Sequence, residues 1–92
     1  MLQLVTTTQF RKDYKRIRKR GYDTDLLKQV LDRLISEESL DLRYRDHSLS
    51  GNYSGFRECH IQPDWLLIYR IDNDQLILTA LRTGTHSDLF AK

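Results

Sequence analysis

Three histidines and one aspartate are the residues of this 92-residue chain best suited to moving protons: His47, His60, Asp64 and His86. An imidazole takes or gives a proton near neutral pH, and a carboxylate beside it fixes its tautomer or acts as a base itself. RNA suits such a set because it carries its own nucleophile. A base removes the 2′-hydroxyl proton, the oxygen attacks the adjacent phosphate, and an acid protonates the leaving 5′-oxygen, with no metal required. Arg57 and Arg82 are candidates to offset charge building on the phosphate, and Trp65 or Phe90 to stack an unstacked base. Each of these also has a plain structural use. A tryptophan opening an apolar strand suits a core equally well, Phe90 could pin the tail, and strand arginines make surface pairs of small worth.

A metal site is the rival chemistry for three histidines and a cysteine. Spacing argues against it, because Cys59 and His60 are neighbours in a strand-like run and so point to opposite faces, and there is no CxxC or HxxxH pair. Cys59 is expected to face the core as a small hydrophobe. Neither a metal nor another cofactor is expected.

Residues 47, 60, 64 and 86 meet only if a sheet gathers them. From residue 56 the apolar period is that of strands: FRECHI, WLLIYRI and QLILTALR, separated by Gln62-Pro63-Asp64 and Asp72-Asn73-Asp74. Connections this short make antiparallel neighbours. His60, Asp64, Trp65 and the stretch from Thr83 to His86 then share one sheet end, within reach of His47 from its loop. One more short strand is expected around Gly51 to Ser54 in the turn-rich HSLSGNYSG.

Ahead of the sheet, residues 2 to 6 (LQLVT) alternate as a first strand. Thr7 or Thr8 then caps a helix with the apolar stripe Phe10, Tyr14, Ile17, ended by Gly21. Asp23 or Thr24 caps a second helix, carrying Leu26, Leu27, Val30, Leu31, Leu34 and Ile35 and ending near Glu38. The expected fold is α+β: an N-terminal strand, a two-helix hairpin, and an antiparallel meander of three to four strands on which the helices pack. With no repeat, linker or low-complexity stretch, residues 1–92 read as one domain.

Composition, 39% hydrophobic and 30% charged, is that of a chain that folds. One cysteine allows no internal disulfide, Met1 to Thr8 is too short and polar for a signal core, and no apolar run would span a bilayer. A cytoplasmic protein without a membrane partner is expected. Net charge is only +2, yet residues 11–20 (RKDYKRIRKR) hold seven basic residues against one acid, a net +6 that leaves the other 82 residues at −4. On a helix this run puts Lys12, Lys15, Arg16 and Lys19, with Arg11 and Arg18, on flanks and outer face. Such a surface can lie along phosphates, dock an acidic protein, or simply be solvated.

The stretch from Tyr44 to Phe90, reading YRDHSLSG, GFRECHIQPDWLLIYRI and LRTGTHSDLF, resembles the YafQ branch of the RelE/ParE toxin superfamily. The close match covers about half the chain, and the preceding strand and helix hairpin fit the superfamily's RelE-like layout. The resemblance implies a toxin held inactive by an acidic antitoxin, which enters the ribosomal A site and cleaves messenger RNA there. Position by position, it places the family's functional histidines at His47, His60 and His86, its aspartate and tryptophan at Asp64 and Trp65, and its C-terminal phenylalanine at Phe90. His86 is expected to be essential, with Asp64 and His60 supporting proton transfer and His47 as the second acid-base group. The basic helix gains ribosomal RNA as its target. Ser48 stands where the family usually has proline, which is expected to leave the His47 loop more mobile. Two other functions occur within or near this superfamily layout: a gyrase-binding toxin of the ParE type, and a non-catalytic homologue acting only in a repressor complex. His60, Asp64 and His86, which pure binding would not require, favour cleavage.

Overall fold

The computed structural model describes residues 1–90, built as β1 (Gln3–Thr6), α1 (Thr8–Lys19), α2 (Thr24–Ile35), β2 (His47–Ser48), β3 (Arg57–Gln62), β4 (Trp65–Asp72), β5 (Ile77–Gly84) and α3 (His86–Phe90). Single 3-10 turns lie at Leu42–Tyr44 and Gly51–Tyr53. Both long helices begin at the expected caps. Thr7 Oγ1 accepts from the Phe10 N–H at 2.9 Å, and Asp23 Oδ1 accepts from the Asp25 N–H at 3.0 Å. α2 stops at Ile35 and not near Glu38, because Glu37 turns left-handed at φ +61°. The N–H groups of Glu37 and Glu38 then donate to Leu34 and Arg33 carbonyls, satisfying the end of the helix.

The strands form one sheet in the order β1-β5-β4-β3-β2. β3, β4 and β5 are the expected antiparallel meander. β1 adds to it in parallel, with Gln3 opposite Ile77 and Thr6 opposite Ala80, so the sheet is mixed and the segment between β1 and the meander is a crossover. The short strand expected at Gly51–Ser54 is absent. That segment is a 3-10 turn framed by Gly51 (φ +65°) and Gly55 (φ +92°), and the extra strand is His47–Ser48, paired with Glu58 and Arg57. The sheet thus ends in strands of four and two residues.

α1 and α2 cover one face, where Phe10, Ile17, Leu27, Val30 and Leu34 meet Cys59, Leu67, Tyr69, Leu78 and Ala80. On the opposite face Leu66, Ile68 and Leu89 pack with Leu49, Tyr53, Phe56, Leu81 and Phe90. β4 is therefore covered on both sides, which is why Trp65 to Tyr69 form an unbroken buried run instead of an alternating one. Each such large side chain withdrawn from water contributes roughly 1.5–3 kcal/mol. No helix among the described residues is long and apolar enough to cross a membrane.

One charged residue lies inside the apolar stripe of α1. Asp13, 1% exposed, accepts from Arg82 Nε and Nη2 at 3.0 and 3.1 Å, from Gln9 Nε2 at 3.0 Å and from the Thr83 N–H at 3.2 Å. With four donors its burial is compensated, and it stitches α1 to β5.

Candidate active site

The register puts Leu66 opposite both His60 and Gly84, so the end of β3, the start of β4 and the exit of β5 converge. Alternation along β3 turns Glu58 and His60 away from the helix-covered face that takes Cys59. β2 places His47 opposite Glu58. The first turn of α3, leaving β5 at Gly84, supplies His86.

The contacts run in an arc. Glu58 Oε1 lies 3.3 Å from His47 Nε2 and 3.2 Å from His60 Nε2. The His60 ring is 6.5 Å from that of His47 and 5.8 Å from that of His86, between centroids. His86 Nδ1 is 2.6 Å from Asp64 Oδ1, and the His86 backbone N–H donates to the same oxygen at 3.0 Å. That N–H first, and then the imidazole, lower the pKa of Asp64. Phe90 closes the arc, 6.4 Å from the His86 ring and packed edge-on against Tyr53 at 5.9 Å. All four residues expected to handle protons are thus brought together, with Phe90 beside them. Glu58 was not among them, although its position two before His60 in a strand puts the two on one face.

α3 is pinned from two sides. The Thr85 N–H donates to Asp88 Oδ2 at 3.0 Å while the Asp88 N–H donates to Thr85 Oγ1 at 3.1 Å, a reciprocal capping pair. Arg20, at the end of α1, donates to both Asp88 oxygens at 2.7 and 3.1 Å, and Arg16 stands 3.5 Å away. Arg20 holds the Asp88 carboxyl well below the usual carboxylate range. The strand-to-helix junction is close as well, since a Cβ on Gly84 would sit 2.9 Å from Asp88 Cβ.

Three candidates for RNA contact have other duties. Trp65 is fully buried; its indole N–H donates to Thr83 Oγ1 at 2.9 Å, and Tyr22 packs edge-on at 5.2 Å. It is a core residue with no face free for a base. Arg57 precedes Glu58 in β3 and so projects to the opposite face from it. There its Nε and Nη2 donate to Asp46 at 3.2 and 2.9 Å, and its Nη1 to Ser48 Oγ at 3.0 Å. Asp46, which also accepts from the Tyr69 hydroxyl, and Ser48 flank His47, so Arg57 orders the segment that carries it. Ser48, standing where the family usually has proline, thus accepts a hydrogen bond that ties the segment to β3. Arg82 gives Nε and Nη2 to Asp13, leaving Nη1 as the nitrogen not engaged there. On α1, Lys12, Lys15 and Lys19 are exposed, whereas Arg16 leans toward Asp88.

His47, Glu58 and His60 each offer one ligand atom, all within 4.8 Å of one another. Two imidazoles and a carboxylate are donors that suit zinc or copper. Cys59 takes no part: it is buried on the other face, and desolvation pushes its thiol up to about 12. The third donor is Glu58, which the expectation of no metal set did not weigh.

The family described as "Bacterial toxin of type II toxin-antitoxin system, YafQ" matches residues 2–91. The mRNA interferase toxin YafQ of Escherichia coli K12 is 41% identical over 83 residues, 89% of this chain and 88% of that protein. Among solved structures, the toxin in the E. coli DinJ-YafQ complex superposes with a TM-score of 0.89 at 37% identity, covering 98% of this chain and 99% of that one. A metal-bound toxin from Helicobacter pylori superposes with a TM-score of 0.92 at 43% identity, covering 98% and 100%.

Proposed function

Because the chain belongs to the YafQ family of bacterial type II toxins, we propose that it is an endoribonuclease that cuts messenger RNA in the ribosomal A site and is neutralised by an acidic antitoxin in the cytoplasm. The observation that carries this is the arc itself: three imidazoles and two carboxylates in sequence along one sheet end, half of the His86 side chain open to solvent. In the reaction a base removes the 2′-hydroxyl proton, the 2′-oxygen attacks phosphorus, and the P–O5′ bond breaks as an acid protonates the departing oxygen. The products are a 2′,3′-cyclic phosphate and a 5′-hydroxyl. Asp64 occupies Nδ1 of His86, which leaves Nε2 as the nitrogen for proton transfer. Glu58 orients His47 and His60 as a pair. Arg82, held by Asp13 and Tyr53, supplies the guanidinium charge for the phosphate, Phe90 is the ring available to stack a base, and the α1 lysines meet ribosomal RNA. The chemistry runs on these side chains without a metal.

The test is to incubate the protein with ribosomes carrying a defined message and map new 5′ ends. Wild type should cut within the A-site codon, His86→Ala should lose about 10²-fold or more in rate, and a chelator selective for transition metals, which spares ribosomal magnesium, should leave the rate unchanged. An intact message alongside arrested growth would reject the nuclease and direct attention to gyrase. A rate that falls with the chelator and returns with zinc would reject the metal-free step.

A further inference from the structure

His60 has a second neighbourhood. Behind it, at the edge of the sheet, a cleft of about 440 Å³ is lined by His60, Ile61, Gln62 and Pro63 of β3 and its turn, by Leu26 and Gln29 of α2, and by Arg43, Tyr44 and Arg45. It exists because β2 pairs only with Arg57 and Glu58, so the rest of the β3 edge has no strand beside it. The 3-10 turn Leu42–Tyr44 runs there instead, ended by Arg45 in the left-handed region at φ +50°.

Its chemistry is one-sided. No carboxylate lines it, yet two guanidinium groups do, and among the described residues neither Arg43 nor Arg45 has an acidic partner. Arg43 is nevertheless held, its Nη2 donating to the Tyr44 hydroxyl at 2.8 Å with its guanidinium 4.8 Å from the Tyr44 ring centre. Leu26, Ile61 and Pro63 give an apolar floor, and Gln29 and Gln62 supply carboxamides that both donate and accept. One held and one exposed cationic group for a phosphate, an apolar floor for a base and amides for its edge are the parts of a nucleotide site, and the volume falls in the range of roughly 300–1,000 Å³ typical of ligand pockets.

We propose that this cleft binds a nucleotide of the RNA flanking the cleaved linkage, with Arg43 and Arg45 on its phosphate and Gln29 and Gln62 on its base. The proposal rests on the ribonuclease reading and extends it. His60 borders both the arc and the cleft, so a strand lying across His60 has one linkage at the proton-transfer groups and its neighbour over the sheet edge.

The experiment needs no cleavage. The isotopically labelled 92-residue protein is titrated by NMR, up to millimolar concentration, with a six-nucleotide RNA of mixed sequence carrying 2′-O-methyl groups throughout, which cannot be cut. Signals of Gln29, Arg43, Arg45 and Gln62 should shift together with that of His60. Arg43→Gln with Arg45→Gln should weaken binding about tenfold and lower the slope of log affinity against log salt by about 0.7, the value for one single-strand phosphate no longer neutralised. If the double variant is unfolded by its spectrum, Arg45→Gln alone, which removes no hydrogen bond in the fold, should give about half that change in slope. Shifts confined to the arc or to α1, no shifts at all, or RNA binding unchanged in a variant that loses its antitoxin would each overturn the proposal. Failure of the ribosome assay with the cleft still binding would instead count against the nuclease and leave the cleft as an RNA site.

Discussion

Four hydrogen bonds converge on the buried Asp13 carboxylate, and nothing in its immediate sequence advertises it. It lies three residues after Phe10 and four before Ile17, squarely in the apolar stripe of a basic helix, where a carboxylate is tolerated only with partners from elsewhere in the fold. Those partners, Arg82 and the Thr83 N–H, are contributed by β5. Asp13→Ala would strand a half-buried guanidinium and an unsatisfied buried N–H. The expected cost is about 3 kcal/mol, read as a lower urea midpoint with an unchanged slope. Glu58 was hidden for a different reason. Its two-residue spacing from His60 was legible, but only the pairing of β2 with β3 shows that one of its oxygens serves both His47 and His60. His47, His60, Asp64 and His86, by contrast, were legible because short turns force the meander and the meander forces their convergence. For Trp65 and Arg57 two uses stayed open in the sequence, because residue type alone does not tell which face of a strand a side chain leaves from, or what already occupies it.

At the scale of elements, the position of His86 depends on how α3 is tied down. Arg20→Gln would remove the bidentate pair with Asp88 while keeping the capping exchange with Thr85. The expected loss is about 1 kcal/mol, allowing for the exposure of the arginine. Cleavage should slow, because His86 and Phe90 ride on the same helix. The pH dependence has a definite sign. The Asp88 carboxyl is lowered in the folded protein, so its stabilisation is present above the ordinary aspartate range and is lost as pH falls through the folded value. Urea midpoints of wild type and Arg20→Gln should therefore differ most near neutrality and draw together progressively as pH falls below the ordinary aspartate value of about 4; an equal gap at both ends would assign the effect to packing. β3, β4 and β5 could be read from their apolar period. α3 could not, being five residues without a stripe, nor could β2, two residues long, or the choice of β5 as partner for β1, which is a matter of sheet edges and not of local pattern.

Taken whole, the molecule concentrates positive charge on α1 and uses part of it internally, on Asp88 through Arg16 and Arg20. Lys12, Lys15 and Lys19, with Arg11 and Arg18, are exposed and remain for phosphates. Replacing Lys12, Lys15 and Lys19 with glutamine should weaken ribosome association and reduce its salt slope by about 2, at roughly 0.7 for each phosphate they neutralise. Unchanged affinity at low and high salt would return those charges to solvent or to the antitoxin. The sheet's outline carries a last consequence. A flank of unpaired backbone is a template on which another copy can assemble, and long flat flanks are where aggregation and fibre growth begin. Here the outermost strands offer four and two residues and the 3-10 turn Leu42–Tyr44 packs beside the rest of the β3 edge, which leaves too little open ladder to recruit a second chain, so the protein can be crowded onto its targets without polymerising on itself.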